Sequence, residues 1–316
     1  MIRSPGISAI ALLVVGAAAC TPLPDTSGYT AASSQLKQSA AAVGTVMHDE
    51  LARTTDRIPG EQNRARLATA TINFDNAWHD TVGSLSAMAD YAQSVEDLTN
   101  AGNHGADSAR QLSQSVLSLA GAVGIAPGAA VAGAAVDTFA LLNSAVANIR
   151  ASRSLTASLA AADPLMQDIA VRVKRQVDAA EHMFNVLISQ QRVEIDAAYG
   201  RVRNIDDELR RQEIDAAANA TGSGDSALQA NLTRLRDARA LMAPRVAEYQ
   251  AAVETVATRE RAGRNLFLAT RTALQSWADS HSRLVRAVQE RRPVSFQSLM
   301  AASQDVRDLV QRWRDL

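Results

Sequence analysis

The strongest constraint on this chain is a long regular seam towards its C-terminal end. From Leu228 to Val288, alternating steps of four and three mark fewer than a third of the positions. Chance would place about five of the large apolar side chains of that stretch on the marked positions, whereas thirteen fall there. They are Leu228, Leu232, Leu235, Met242, Val246, Tyr249, Val253, Val256, Phe267, Leu274, Trp277, Leu284 and Val288. A sustained period of ~3.5 residues marks helices packed as in a coiled coil. At ~1.5 Å per residue the element is about 90 Å long. Pro244 lies inside it, but the seam keeps its phase across the proline, which predicts a kink and not a break. Arg239, Glu260, Gly263 and His281 interrupt the seam and point to a bundle more than to a free two-stranded coil.

The remainder of the chain has to supply partners for that helix. Asp163-Pro164 predicts a helix start, an N-cap followed by proline in the first turn. From there a seam of Met166, Ile169, Val173, Val177, Ala180, Phe184, Leu187, Ile195, Ala198, Val202, Ile205 and Leu209 runs towards the loop at Thr221–Asp225. A short loop between two long helices makes them antiparallel neighbours, so residues 164–291 form a coiled-coil-like hairpin. Asp206-Asp207-Glu208 and Arg210-Arg211 are expected to pair along an exposed face. Upstream, a helix over 31–57 presents Leu36, Val43, Met47 and Leu51, and Ile58-Pro59-Gly60 ends it. A second, over 61–101, carries Leu67, Thr71, Phe74, Trp78, Thr81, Leu85, Met88, Ala92 and Val95. Pro293 stops the long helix. A last helix over 295–316 returns Phe296, Leu299, Val306, Leu309 and Trp313 to the body. With aromatics at 4% and no alternating β-branched run, the chain is all-α, an elongated helical bundle forming one domain over 31–316.

Residues 111–149 differ in kind. Asp137 is the single charge in this stretch, and Pro127-Gly128 divides it into two helical arms. Small residues spaced four apart, as in Gly124/Gly128 and Ala129/Gly133, permit close helix approach. Three readings follow: the hairpin tucks between longer helices, it docks on a membrane or partner, or it inserts as a pore. Long helices around a charge-poor hairpin are similar in outline to the cytolysin A type of α-helical pore-forming toxin, and that layout implies membrane activity as an alternative function.

The N-terminus carries an address. Arg3 is followed by an uncharged run, Ile7–Ala19, shorter than the ~20 residues of a spanning helix and typical of a secretory signal. The run closes on Ala17-Ala18-Ala19-Cys20, and Cys20 is the sole cysteine. This pattern resembles the lipobox of bacterial lipoprotein precursors, with alanine at Ala17 where leucine is usual. The resemblance covers only Met1–Cys20 and implies signal cleavage between Ala19 and Cys20, with covalent lipid on Cys20 and no other cofactor. Thr21 in place of aspartate implies, by resemblance to enterobacterial sorting, the outer membrane facing the periplasm. Residues 20–30, with two prolines and a glycine, are expected to form a tether reaching roughly 35 Å. With Cys20 acylated no disulfide is possible, and stability rests on helix packing.

Motifs for chemistry are sparse. The net charge of −1 gives no field for nucleic acid, and the preference for arginine over lysine, which occurs only at Lys37 and Lys174, reflects composition and not a binding signal. Arg283, Arg286, Arg291 and Arg292 are expected as a solvated helix end complementing the C-terminal dipole. The histidines His48, His79, His104, His182 and His281 include no Glu-x-x-His, so a di-iron bundle site has no basis. Asp75 and His79, one helical turn apart, are expected to pair on the surface. His281 sits on the seam and is expected in the core or between helices. Phosphate-binding, zinc and nucleophile-elbow spacings are absent from the sequence, and no small-molecule substrate is evident. The sequence favours a non-enzymatic envelope lipoprotein, held on the membrane by its lipid and presenting a helical scaffold to an envelope protein or to a second copy. An enzyme with a dispersed helical site is the least supported reading.

Overall fold

The computed structural model describes residues 24–57, 60–100, 105–124, 134–151, 155–222 and 224–316. They form seven helices: α1 (Ser27–Arg57), α2 (Glu61–Asn100), α3 (Gly105–Ala122), α4 (Ala134–Ala151), α5 (Leu155–Ala220), α6 (Ser226–Glu290) and α7 (Gln297–Arg314). No strand occurs among the described residues. Ala19, Cys20, His104, Pro127 and Gly128 lie outside them, as does the side chain of Leu51.

The antiparallel pair α5–α6 is the spine. Asp225 caps α6 by accepting from the Ala227 N–H at 2.8 Å, and Arg291 ends it in the left-handed region at φ 53°. Around the inner half of the pair, α1, α2 and α7 complete a bundle, while α3 packs on α2 and α4 on α5. The expected faces of α1 and α2 are buried from Leu36 to Met47 and from Leu67 to Val95, Thr71 being half-buried. Trp78 donates its indole N–H to the Ala40 carbonyl at 3.0 Å. It lies so close to α1 that a Cβ on Gly44 would sit 2.2 Å from its ring, so only glycine admits this crossing. Aromatic side chains fill the centre. Tyr29, Trp277 and Tyr91 form one run, and Phe74, Trp78, Phe267, Phe184 and Trp313 another. Such rings bury large areas and add about 0.5–1.5 kcal/mol per well-placed pair.

The charge-poor segment turns one apolar face of each described helix inward. Leu112, Val116, Leu119 and Ala120 of α3 and Leu142, Ala145 and Ile149 of α4 are buried in the common core. No helix among the described residues is long and apolar enough to cross a membrane.

Three boundaries differ from those expected. The tether does not extend to Thr30: α1 begins at Ser27, Tyr29 is wholly buried against Trp277 and Phe296, and Thr30 donates to the Ala92 carbonyl. Pro24 and Gly28 suggest a loose segment, but one aromatic anchor at Tyr29 outweighs them. Next, Asp163-Pro164 does not start α5, which begins at Leu155. Leu155, Leu159 and Ala162 are buried and hold the preceding turns, while Pro164 faces solvent. Finally, the outer seam of α5 is shifted. Ala198 and Ile205 are exposed, Tyr199 and Asp206 take the places between Ile195, Val202 and Leu209, and Glu213 follows.

Candidate functional site

Four interruptions of the α6 seam, Arg239, Glu260, Gly263 and His281, each meet a partner, and together they locate the polar centres of the molecule. Gly263 makes room for Phe184: a Cβ there would lie 2.3 Å from the Phe184 ring. Glu260 pairs with Arg192 of α5 and with Arg264. Arg239 reaches across to Glu213 at 2.5 Å and Asp206 at 3.7 Å, with Arg236 also on Glu213. The Arg239 hydrogen bond, against a smaller cost of burial and with help from Arg236, holds the Glu213 carboxyl below its usual range. A charged layer of this kind inside a two-helix seam fixes register, because any slip separates the charges. The expected pairing of Asp206 along its own helix is therefore replaced, although Glu208–Arg211 does form at 2.6 Å.

His281 is the fourth, and it organises the most buried polar network. Its ring, with no exposed surface, lies 2.8 Å through Nδ1 from Asp163 and 2.7 Å through Nε2 from the Tyr91 hydroxyl. Asp163 accepts from the Nδ1 N–H, and Nε2 is bonded to the Tyr91 hydroxyl. Ser282 donates to the same carboxylate at 2.8 Å, and Gln167 donates to Ser282 and to the Ala278 carbonyl, both at 3.0 Å. Burial raises the Asp163 carboxyl, but the bonds from His281 and Ser282 and the nearby Arg286 outweigh it and leave it below the carboxylate range. Burial, helped by the Asp163 charge, pushes the Tyr91 phenol far up, so it stays a donor. Although Ser, His and Asp meet here, the Ser282 hydroxyl points its hydrogen at Asp163 and both imidazole nitrogens are taken. The arrangement locks α2, α5 and α6 together and leaves no ring nitrogen open to a ligand.

The other histidines are peripheral. Asp75 pairs with His48 of α1 at 3.1 Å instead of with exposed His79, because the α1–α2 crossing brings His48 closer than the next helical turn. His182 is exposed. Among the described residues no group of three or more His, Cys, Asp or Glu is placed to hold a metal ion. In the basic group at the end of α6, Arg283 is not a solvated side chain: it bridges Ser280 and Ser298 and so ties α6 to α7.

A sizeable cleft lies where α5 and α6 leave the bundle. It measures about 630 Å³ and is walled by Ile195, Ala198 and Tyr199 of α5 and by Ala252 and Val256 of α6. Gln191, Glu194, Thr255 and Arg259 supply its polar groups. Small side chains at Ala198 and Ala252 open it. At its inner end the buried Glu50 carboxylate of α1 accepts from Arg259 and Gln191, each at 2.9 Å, so a sealed ion pair forms the floor. No sequence motif marks this cleft, since its walls come from distant stretches of the chain that only the hairpin register brings together. Beyond it, the hydrogen bonds of residues 196–249 run among themselves, and a second small core of Ala216, Ala220 and Leu232 stabilises the tip. No protein-family model, curated protein or solved structure matches the chain.

Proposed function

We propose that this protein is a bacterial envelope lipoprotein that works as a non-enzymatic helical scaffold. In this reading lipid on Cys20 anchors it at the outer membrane, and the outer α5–α6 hairpin is an arm offered to an envelope protein or to a second copy. The observation that carries the reading is the arm itself. From Ile195 to Ala220 it extends about 40 Å, at ~1.5 Å per residue. Along it Ile205, Ile214, Leu241 and Val253 are 42%, 61%, 82% and 42% exposed. Holding a two-helix arm in register with a half-exposed layer of charge, while leaving large apolar side chains outside, fits a surface used for contact. The short lipobox-like stretch supports the anchor.

The anchor is tested by palmitate labelling in a bacterial host, which Cys20→Ser should abolish; labelling that survives the substitution removes it. The scaffold is tested by photo-crosslinking from Leu241 and Ile214 in the native envelope. A discrete adduct with a defined protein or a dimer is expected, and recovery of monomer alone from both positions defeats the reading.

A further inference from the structure

Glu194 stands apart from the carboxylates around it. Glu50 has Arg259 and Arg53, Glu260 has Arg192 and Arg264, Glu254 has Arg261, and Asp196 has Arg203. Glu194 lies half-buried on the wall of the cleft, and its hydrogen bond comes from the neutral amide of Gln190 at 3.4 Å. Among the described residues no arginine, lysine or histidine reaches it. Burial, only partly opposed by that amide, pushes its carboxyl above the usual range. A carboxylate withdrawn from water without a counter-ion is destabilising, and a cation arriving at it gains more than it would at an open surface.

The cleft offers the rest of a binding site. Its volume, about 630 Å³, falls within the range of roughly 300–1,000 Å³ found for small-molecule sites. Ile195, Ala198, Ala252 and Val256 present apolar walls, and Tyr199, its ring against Tyr249, adds an aromatic side chain to the lining. Arg259, the cation lining it, is held by the Glu50 carboxylate at 2.9 Å, which leaves Glu194 as the unpaired charge of the cleft. We infer that this cleft binds a small organic amine with an apolar body, its ammonium group against Glu194 and its apolar part between α5 and α6. The site goes beyond the scaffold reading and does not depend on the lipid or on a protein partner.

Monodansylcadaverine, a primary amine on a short alkyl chain with an apolar fluorophore, is a suitable probe for the full chain. Saturable fluorescence enhancement is expected. Glu194→Gln should weaken it about tenfold, the loss of a charge-assisted hydrogen bond. The N-acetylated probe, equally apolar but uncharged, should bind the native protein correspondingly weakly. Ala252→Trp, which fills the cleft and leaves Glu194 in place, should abolish binding. Circular dichroism melting of both variants checks that the fold persists. Equal binding of the amine and its acetylated form, unchanged binding in Glu194→Gln, or no saturable binding up to millimolar probe each overturns the inference.

Discussion

The inner and outer halves of α5 and α6 share two helices and one repeat, yet they are stabilised differently. Inside, the seam is closed by other helices: Phe267, Leu274, Trp277 and Leu284 are wholly buried, and Phe184, Trp78 and Tyr29 pack round them. Outside, Leu235, Met242, Val246 and Tyr249 sit on the same seam only half-buried, because a single neighbouring helix cannot cover them. The polar devices differ in the same way. The inner half uses a Tyr91–His281–Asp163 chain whose two rings are wholly buried, and the outer half a half-exposed layer of Arg239 with Asp206 and Glu213. A heptad pattern therefore specifies which residues face a partner, while the number of partners sets how much each is worth.

This contrast is open to test, in descending order of effect. Trp277→Ala should cost about 4 kcal/mol by leaving a cavity among closely packed rings, whereas Met242→Ala on the same seam should cost under about 1 kcal/mol. Chemical denaturation of both variants decides it, and equal losses would break the distinction. Asp163→Ala should cost about 3 kcal/mol, since it leaves the buried His281 N–H and the Ser282 hydroxyl without an acceptor. Because the folded pKa of Asp163 is lowered, its contribution is present above its unfolded value near ~3.9 and is lost as pH falls through the folded one. The gap between native and variant stability should therefore be constant at neutral pH and shrink only below about pH 4. Gly263→Val should cost about 2 kcal/mol by driving the Phe184 ring out of its place. Replacing residues 200–248 by a short glycine-rich turn should move the melting of the inner bundle least of all. Hydrogen exchange should correspondingly find the arm amides opening at lower free energy than those near Trp277. A large loss of bundle stability on that deletion would show that the arm is part of the core.

Much of the architecture was legible in the residues. The α6 seam apart from the exposed Val253, the α2 face from Leu67 to Val95, the closing helix over 295–316 and the long antiparallel hairpin follow from period and turn signals, and the structure has them. The errors cluster where a side chain's partner lies far along the chain. Pattern reading chose Ile205 over Asp206 for the seam because isoleucine is apolar, and Arg239, whose charge reverses that choice, stands on the other helix of the hairpin. Asp163 before Pro164 carries the local signal of a helix start, and its use as an acceptor for His281 has no local signal. The cleft at the arm's root was invisible for the same reason, as its apolar walls are largely alanines that look like any others in this composition.

That the chain is helical, where most helices turn, and which stripe of each is apolar can all be read from the residues, because these depend on neighbours within a turn or two. The likeness of Ala17–Cys20 to a lipobox is likewise legible in the residues themselves. Which polar residues stand inside a seam, which carboxylate lacks a counter-ion, and where the bundle thins to two helices emerge only once the chain is packed. Those features depend on the register between segments distant in the chain, and register is fixed by the sum of many packing contacts and not by any local preference.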